Sequence, residues 1–296
     1  MTGSELNNLL VRADIALRTN WLHALNLLDE AEKIAPDEAR IYGMRGEILM
    51  DRQLHKRAIE AFQKALALAP DQVHFNYLIG NCYLAQSEYR MALVYYEKTS
   101  PLPPEISYNR ALALAILGRL IESTSVLRET IKEGIYSPYY YYLLIEQLIR
   151  LKSFDEALVY TLEALDRFGP VFHLRLFQAT IYCQKGIWLK GYHIYNQLNQ
   201  ERPFGQPDQL QPFANSAWKI GNYKHAIELF EKLLEIDPYV TSGYEEYLRL
   251  LLETDRFSQA RAVMRKARQN LGRLSPVLLL IQERINQEGQ KPDHDL

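Results

Sequence analysis

The sequence repeats itself with a period near 34 residues, and no other property restricts its fold as much. Three stretches show the repeat: "WLHALNLLDEAEKIAPD" (21–37), "HKRAIEAFQKALALAPD" (55–71) and "YKHAIELFEKLLEIDPY" (223–239). Each opens on an aromatic residue or His, with Ala three residues on and a large apolar residue four later. A small or apolar residue follows after three more, and Pro after five. Spacings of three and four put these side chains on one face of a helix, and the proline cannot continue it. Pro36, Pro70, Pro104, Pro203 and Pro238 mark such ends. Upstream, "YGMRGEILM" and "NYLIGNCYL" place Gly46 and Gly80 three residues before Leu49 and Tyr83.

This pattern resembles the tetratricopeptide repeat, a helix–turn–helix unit of about 34 residues. Setting the closing proline at position 32 starts units at Glu5, Ala39 and Val73. Following the small residue at position 20 gives further starts at Pro104, Pro138, Phe172, Pro207 and Thr241. Small residues at position 8 (Gly46, Gly80, Ala111, Ala179, Ala214) and position 20 let two helices approach closely, and bulky ones at positions 17 and 24 fill the remaining space. No unit buries its apolar face alone, so units stack. Arg12, Ile145 and Leu248 at position 8 and Ser123 at position 20 depart from the pattern without breaking its period. The stretch 275–287 reads as a capping helix with Ser275 as N-cap and Pro276 in its first turn. The resemblance therefore implies an all-α, right-handed superhelical solenoid over 5–287, with a flexible tail over 288–296. The proline-rich junctions at Pro101–Pro104 and Pro203–Pro212 are expected either to bend the array or to act as ordinary tight turns.

Composition narrows the function. Lys and Arg total 34 against 36 Asp and Glu, a formal charge of −2, which argues against a general nucleic-acid binder. Two cysteines, Cys82 and Cys183, do not make a disulfide framework or a zinc site. No run approaches the length of a membrane span, and the N-terminal stretch has no secretory pattern; a cytoplasmic location is expected. No glycine-rich phosphate loop, clustered histidines or acid–base constellation stands out. Catalysis, cofactors and metals are therefore not expected. Glu245, Arg249 and Glu253, four apart, read as an ion-pair ladder, and His23 and His225 as outward-facing.

The resemblance also implies that positions 2, 5, 9, 12 and 13 of each first helix line a concave groove. In "YSPYYYYLLIEQL" (136–148), Tyr139 and Tyr142 then face the groove, while Tyr140 and Tyr141 pack inside. The candidate peptide-binding surface is His74, Tyr77, Asn81, Tyr108, Asn109, Leu112, Tyr139, Tyr142, Glu146 and Arg150. Tyrosines give large contact area at little entropic cost, and asparagines can pair with the backbone of an extended peptide. The carboxylate clamp of chaperone-binding members would fall here on Tyr77, Asn81, Asn109, Tyr139 and Leu143, which lack its three cations. Groove positions carry more acids than bases, so a partner peptide or helix with apolar and slightly basic character is expected. The protein is thus read as a non-catalytic adaptor for another protein. The alternative is self-association, as a homodimer, through an apolar first helix whose Leu6, Leu9, Leu10, Ala13 and Leu17 have no polar cap before them.

Overall fold

A computed structural model describes residues 2–17, 19–99 and 104–288. Among them are seventeen α-helices and no strand. The chain divides into two compact units, 1–147 and 148–296.

The first unit holds α1 (Thr2–Leu17), α2 (Trp21–Ile34), α3 (Ala39–Asp51), α4 (His55–Leu68), α5 (His74–Ala85), α6 (Tyr89–Glu97), α7 (Pro104–Ile116), α8 (Leu120–Lys132) and most of α9 (Pro138–Arg150). Neighbours in sequence pack against each other from α1 to α8, and α1 also meets α3, as α5 meets α7. The second unit holds α10 (Phe154–Phe168), α11 (Phe172–Gln184), α12 (Trp188–Glu201), α13 (Pro207–Lys219), α14 (Tyr223–Ile236), α15 (Thr241–Glu253), α16 (Phe257–Leu271) and α17 (Pro276–Glu288). There, α17 covers both α15 and α16. This nearest-neighbour packing defines an all-α solenoid. Pro212 lies within α13, which runs through it. The Pro101–Pro103 stretch and residues 289–296 fall outside the described residues.

The helix pairs close through one recurring turn. Gln53, Ser87, Gly118, Lys152, Gly186, Gly221 and Asp255 all have positive φ, each two residues beyond the end of its helix. The next amide reaches back five residues: Leu54 N–H to Leu49 O, Glu88 N–H to Tyr83 O, and Arg119 N–H to Leu114 O, each at 2.9 Å. These bonds satisfy carbonyls left open at a helix C-terminus. Four of the seven residues are not glycine, so the stacked helices impose the left-handed conformation there at some local cost.

Small residues admit large rings. A Cβ on Gly80 would lie 2.5 Å from the Tyr96 ring. Gly46 sits equally close to the buried Phe62 ring. An electrostatic knot braces α2 to α4: the single Tyr42 Oη proton is shared between Glu32 (2.8 Å) and Pro36 O (2.7 Å), while Arg45 and Lys64 pair with Glu32 at 2.7 and 3.1 Å. Burial pushes the Glu32 carboxyl up, but the hydrogen bonds from Arg45, Tyr42 and Lys64 outweigh it and hold the pKa at about 2.

One sequence expectation is overturned by this packing. The first helix was expected to present its leucines, but Leu6, Leu9 and Leu10 are 8, 7 and 6% exposed, Ala13 is fully buried, and Leu17 is half-buried. The α1 helix turns this face onto its own partner α2 and onto α3, in a core with Leu27, Leu28 and Ile41. Val11 and Ile15 are what α1 exposes instead.

Candidate functional site

The four-tyrosine run divides between interior and surface. Tyr141 is fully buried and Tyr140 nearly so, while Tyr139 is 66% exposed and Tyr142 half-buried. A helix turn of about 100° per residue separates them this way. Tyr139 and Tyr142, one turn apart, meet edge to face at 6.4 Å. From α7, Tyr108 packs edge-on against Tyr139 (6.5 Å) and Tyr140 (5.8 Å). Each contact is the edge-to-face geometry that aromatic quadrupoles favour. The result is a tyrosine cluster joining α7 and α9 within the first unit.

Next to it, two amides pair. The Tyr96 hydroxyl donates to Asn81 Oδ1 at 2.8 Å, and Asn109 Nδ2 donates to the same oxygen at 3.0 Å. Asn81 Oδ1 is therefore taken. Asn81 Nδ2 and Asn109 Oδ1 have no partner among the described residues, which leaves one donor and one acceptor on two half-buried side chains. Tyr77 is half-buried and packs on both the α4–α5 and the α6–α7 cores, so its ring is partly structural. His74 is exposed beside Phe75 (4.0 Å), and partial burial lowers its pKa. Leu112 is half-buried and Glu146 exposed. Arg150 belongs to the second unit. Nearer the N-terminus, burial followed by the charges of Asp51 and Asp14 raises the pKa of Glu47.

In the second unit the first-helix surface is polar. Gln211 and Asn215 both donate to Glu246 at 2.8 Å, and Ser242 donates to Gln211 at 3.1 Å. Trp218 Nε1 donates to Glu253 (3.2 Å), and Ser275, the α17 cap, donates to Glu245 (2.6 Å). The expected ladder does not form: among the described residues no ion pair joins Arg249 to Glu245 or Glu253, because α17 and α13 engage those carboxylates first. A cavity of about 520 Å³ opens there between Trp218, Arg249, Leu252 and the Leu280–Ile281 face of α17. His225 is likewise not outward-facing. It packs on Phe213 and bonds Tyr192 Oη at 2.9 Å, and burial lowers its pKa.

The chemistry of the remaining groups is quiet. Cys82 and Cys183 are buried, which pushes their thiols up to about 11 and about 12, far from a reactive thiolate. No group of three or more His, Cys, Asp or Glu among the described residues could hold a metal ion. None of the described helices is long and apolar enough to cross a membrane.

Sequence reasoning missed Tyr96 as the residue that orients Asn81. Its signal was available: Tyr195, also at position 24 of its unit, pairs with Thr180 at position 9 across 2.8 Å. Both pairs are fifteen residues apart.

The stacked helix pairs, their turn and their small-to-large packing define a helical-repeat solenoid. Models of the tetratricopeptide repeat match residues 18–73, 53–99 and 213–239, so these stretches carry tetratricopeptide repeats. Among solved structures it is similar to a tetratricopeptide repeat protein from Parabacteroides merdae (TM-score 0.60, 17% identity, 84% of this chain and 98% of that one). It is also similar to a chain of the APC/C hetero-tetramer Cut9-Hcn1 (TM-score 0.57, 15% identity, 94% of this chain and 55% of that one). A third likeness is to PilW, a type IV pilus biogenesis factor (TM-score 0.52, 19% identity, 67% of this chain and 94% of that one). At these identities the likeness is one of fold. No curated protein matches the sequence. Proteins of this family generally mediate protein–protein interaction or scaffolding, and the fold is typically non-catalytic.

Proposed function

We propose that the protein is a cytoplasmic adaptor whose array of eight repeats holds a peptide or helix of another protein on its first-helix face, centred on α5, α7 and α9. One observation carries this reading: the Tyr108–Tyr139–Tyr142 cluster lies beside the Asn81–Asn109 pair, which still offers one donor and one acceptor. Rigid rings supply apolar contact area, and the donor–acceptor pair matches one peptide group of an extended chain. His74, Tyr77, Leu112 and Glu146 border the surface, and Arg150 extends its helix. That Cut9-Hcn1 is a hetero-tetramer fits a fold used to hold partners. A partner captured from the source cells and identified by mass spectrometry should bind the purified chain in calorimetry. Tyr108→Ala with Tyr142→Ala should weaken it about 30-fold, the loss of roughly 2 kcal/mol expected for paired aromatic hot spots. Unchanged affinity with unchanged helicity would move the site elsewhere.

Self-association is the second reading, and it now rests on Val11 and Ile15, one turn apart on α1 and 59 and 65% exposed, rather than on the leucines. Light scattering over a concentration series decides it: a dimer lost on Val11→Glu plus Ile15→Glu supports it, and a monomer at all concentrations removes it.

A further inference from the structure

The chain from Arg256 to Arg273 carries Arg256, Arg261, Arg265, Lys266, Arg268 and Arg273 without one Asp or Glu, in a protein of formal charge −2. Most of α16 lies in this stretch. Lys266 turns toward a cavity it shares with Glu231 and Glu235, so its charge has acidic neighbours. Arg261, Arg265 and Arg268 follow the i, i+4, i+7 edge that faces α17, where they line a cleft of about 150 Å³. Arg265 and Arg268 are exposed. Like charges one turn apart oppose helix formation, and no carboxylate of α17 lines the cleft beside Arg265 and Arg268. Across the cleft α17 presents Gln282 and Asn286, again one turn apart. Arg268 Nε donates to Gln282 Oε1 at 3.2 Å. An amide satisfies that N–H but leaves the charge in place, where a Glu would have cancelled it. The cleft floor is apolar, formed by Met264 and Ile285, both buried. A volume of this size accepts one aliphatic or phenyl side chain, and a methionine wall adapts to its shape.

We propose that this cleft is a second docking site, for an acidic segment of a protein partner whose carboxylates meet Arg265 and Arg268 while one apolar side chain enters between Met264 and Ile285. Arginine pairs bidentately with carboxylates, and the apolar floor gives a peptide side chain something that a uniform phosphate backbone cannot use. Position separates this site from the tyrosine cluster, which lies in the other compact unit.

The test uses fluorescence anisotropy with the full chain and a fluorescein-labelled nine-residue peptide of Asp and Glu around a central Leu. The comparators are the same peptide with Ser for Leu, a single-stranded oligonucleotide of equal charge, and phosphatidylserine vesicles. Saturable binding is expected. Arg265→Gln with Arg268→Gln should weaken it at least tenfold, and the Ser peptide at least threefold. Asn286→Glu, which installs a counter-charge on the rim, should weaken it in the same direction if the double variant folds poorly. Tyr108→Ala with Tyr142→Ala should leave it unchanged, which keeps this site distinct from the groove reading. Absence of saturable binding, indifference to both sets of cleft variants, or tighter binding of the oligonucleotide or vesicles would each overturn the proposal.

Discussion

Gly80→Ala asks whether helix propensity or close helix approach governs this fold. On propensity the change is favourable, since alanine in a helix interior is better than glycine by about 1 kcal/mol. The packing opposes it. A Cβ at residue 80 would stand 2.5 Å from Tyr96 Cε1, 2.7 Å from Cδ1 and 3.2 Å from Cζ. Carbon pairs are comfortable at about 3.5–4.0 Å, so the ring must retreat by about 1 Å. It has nowhere to go: Tyr96 is fully buried among Ala92, Leu93, Ile106 and Leu114. Overpacking of this kind costs about 1–3 kcal/mol. Moving the ring also strains the bond from Tyr96 to Asn81, worth about 1 kcal/mol. The net expectation is a loss of about 1–3 kcal/mol, opposite in sign to the propensity effect.

Urea unfolding followed by far-ultraviolet circular dichroism measures it, with the slope checked because repeat arrays can lose all-or-none behaviour. Tyr96→Leu in the Gly80→Ala background should recover part of the loss, since leucine vacates the ring edge that the new methyl meets. A Gly80→Ala protein as stable as the parent, or more so, would refute the argument and show that α5 and α6 can separate freely.

Glu32→Gln should cost about 1 kcal/mol at pH 7, a figure reduced for the solvent screening of a partly exposed carboxylate. Because folding depresses the Glu32 pKa to about 2, its contribution is complete above the ordinary carboxylate range and fades as pH falls toward about 2; a stability gap that persists at pH 2.5 in urea titrations would contradict the network. Gln53→Gly should raise stability by about 0.5 kcal/mol, since relief of a left-handed conformation of about 1–2 kcal/mol exceeds glycine's extra unfolded-state entropy, and a lower urea midpoint would show that the Gln53 side chain contributes more than its backbone costs.

The helices were legible because one spacing rule, repeated, fixes both where a helix lies and which face it buries. The interior fate of Tyr140 and Tyr141 follows from that rule together with the face that the family resemblance assigns to the groove. What the spacing could not supply was the partner of each polar side chain. Arg249 sits four residues from two carboxylates, but Trp218 and Ser275 reach those carboxylates from other helices. The left-handed turns at Gln53, Ser87 and Lys152 carry no glycine to announce them. The leucines of α1 were misread because their apolar face was taken as open, whereas α2 and α3 cover it. The bond between Asn81 and Asn109 arises from the phase between adjacent repeats, which a single repeat does not encode.

The fifteen-residue pairing between positions 24 and 9 leads to a final expectation. Where position 24 is Tyr, its hydroxyl meets a polar residue at position 9: Tyr96 with Asn81, and Tyr195 with Thr180. Where position 24 is Leu, as at Leu28 and Leu127, position 9 is apolar too, Ala13 and Leu112. Three repeats break this correspondence, with an apolar position 24 set against a polar position 9: Phe62 with Glu47, Met264 with Arg249 and Phe230 with Asn215. Asn215 gives its Nδ2 to Glu246, but its Oδ1 is buried without a partner. A buried acceptor left open costs about 1–3 kcal/mol. Phe230→Tyr should place a hydroxyl where Tyr96 and Tyr195 place theirs, closing that bond and raising stability by about 1 kcal/mol, while the stack of ring 230 on Tyr247 at 5.6 Å persists. The gain should vanish when Asn215 is replaced by Leu, because the new hydroxyl then has no acceptor. A urea midpoint for Phe230→Tyr below that of the parent would mean the hydroxyl is buried unpaired, and that the repeats differ in helix spacing at this one position.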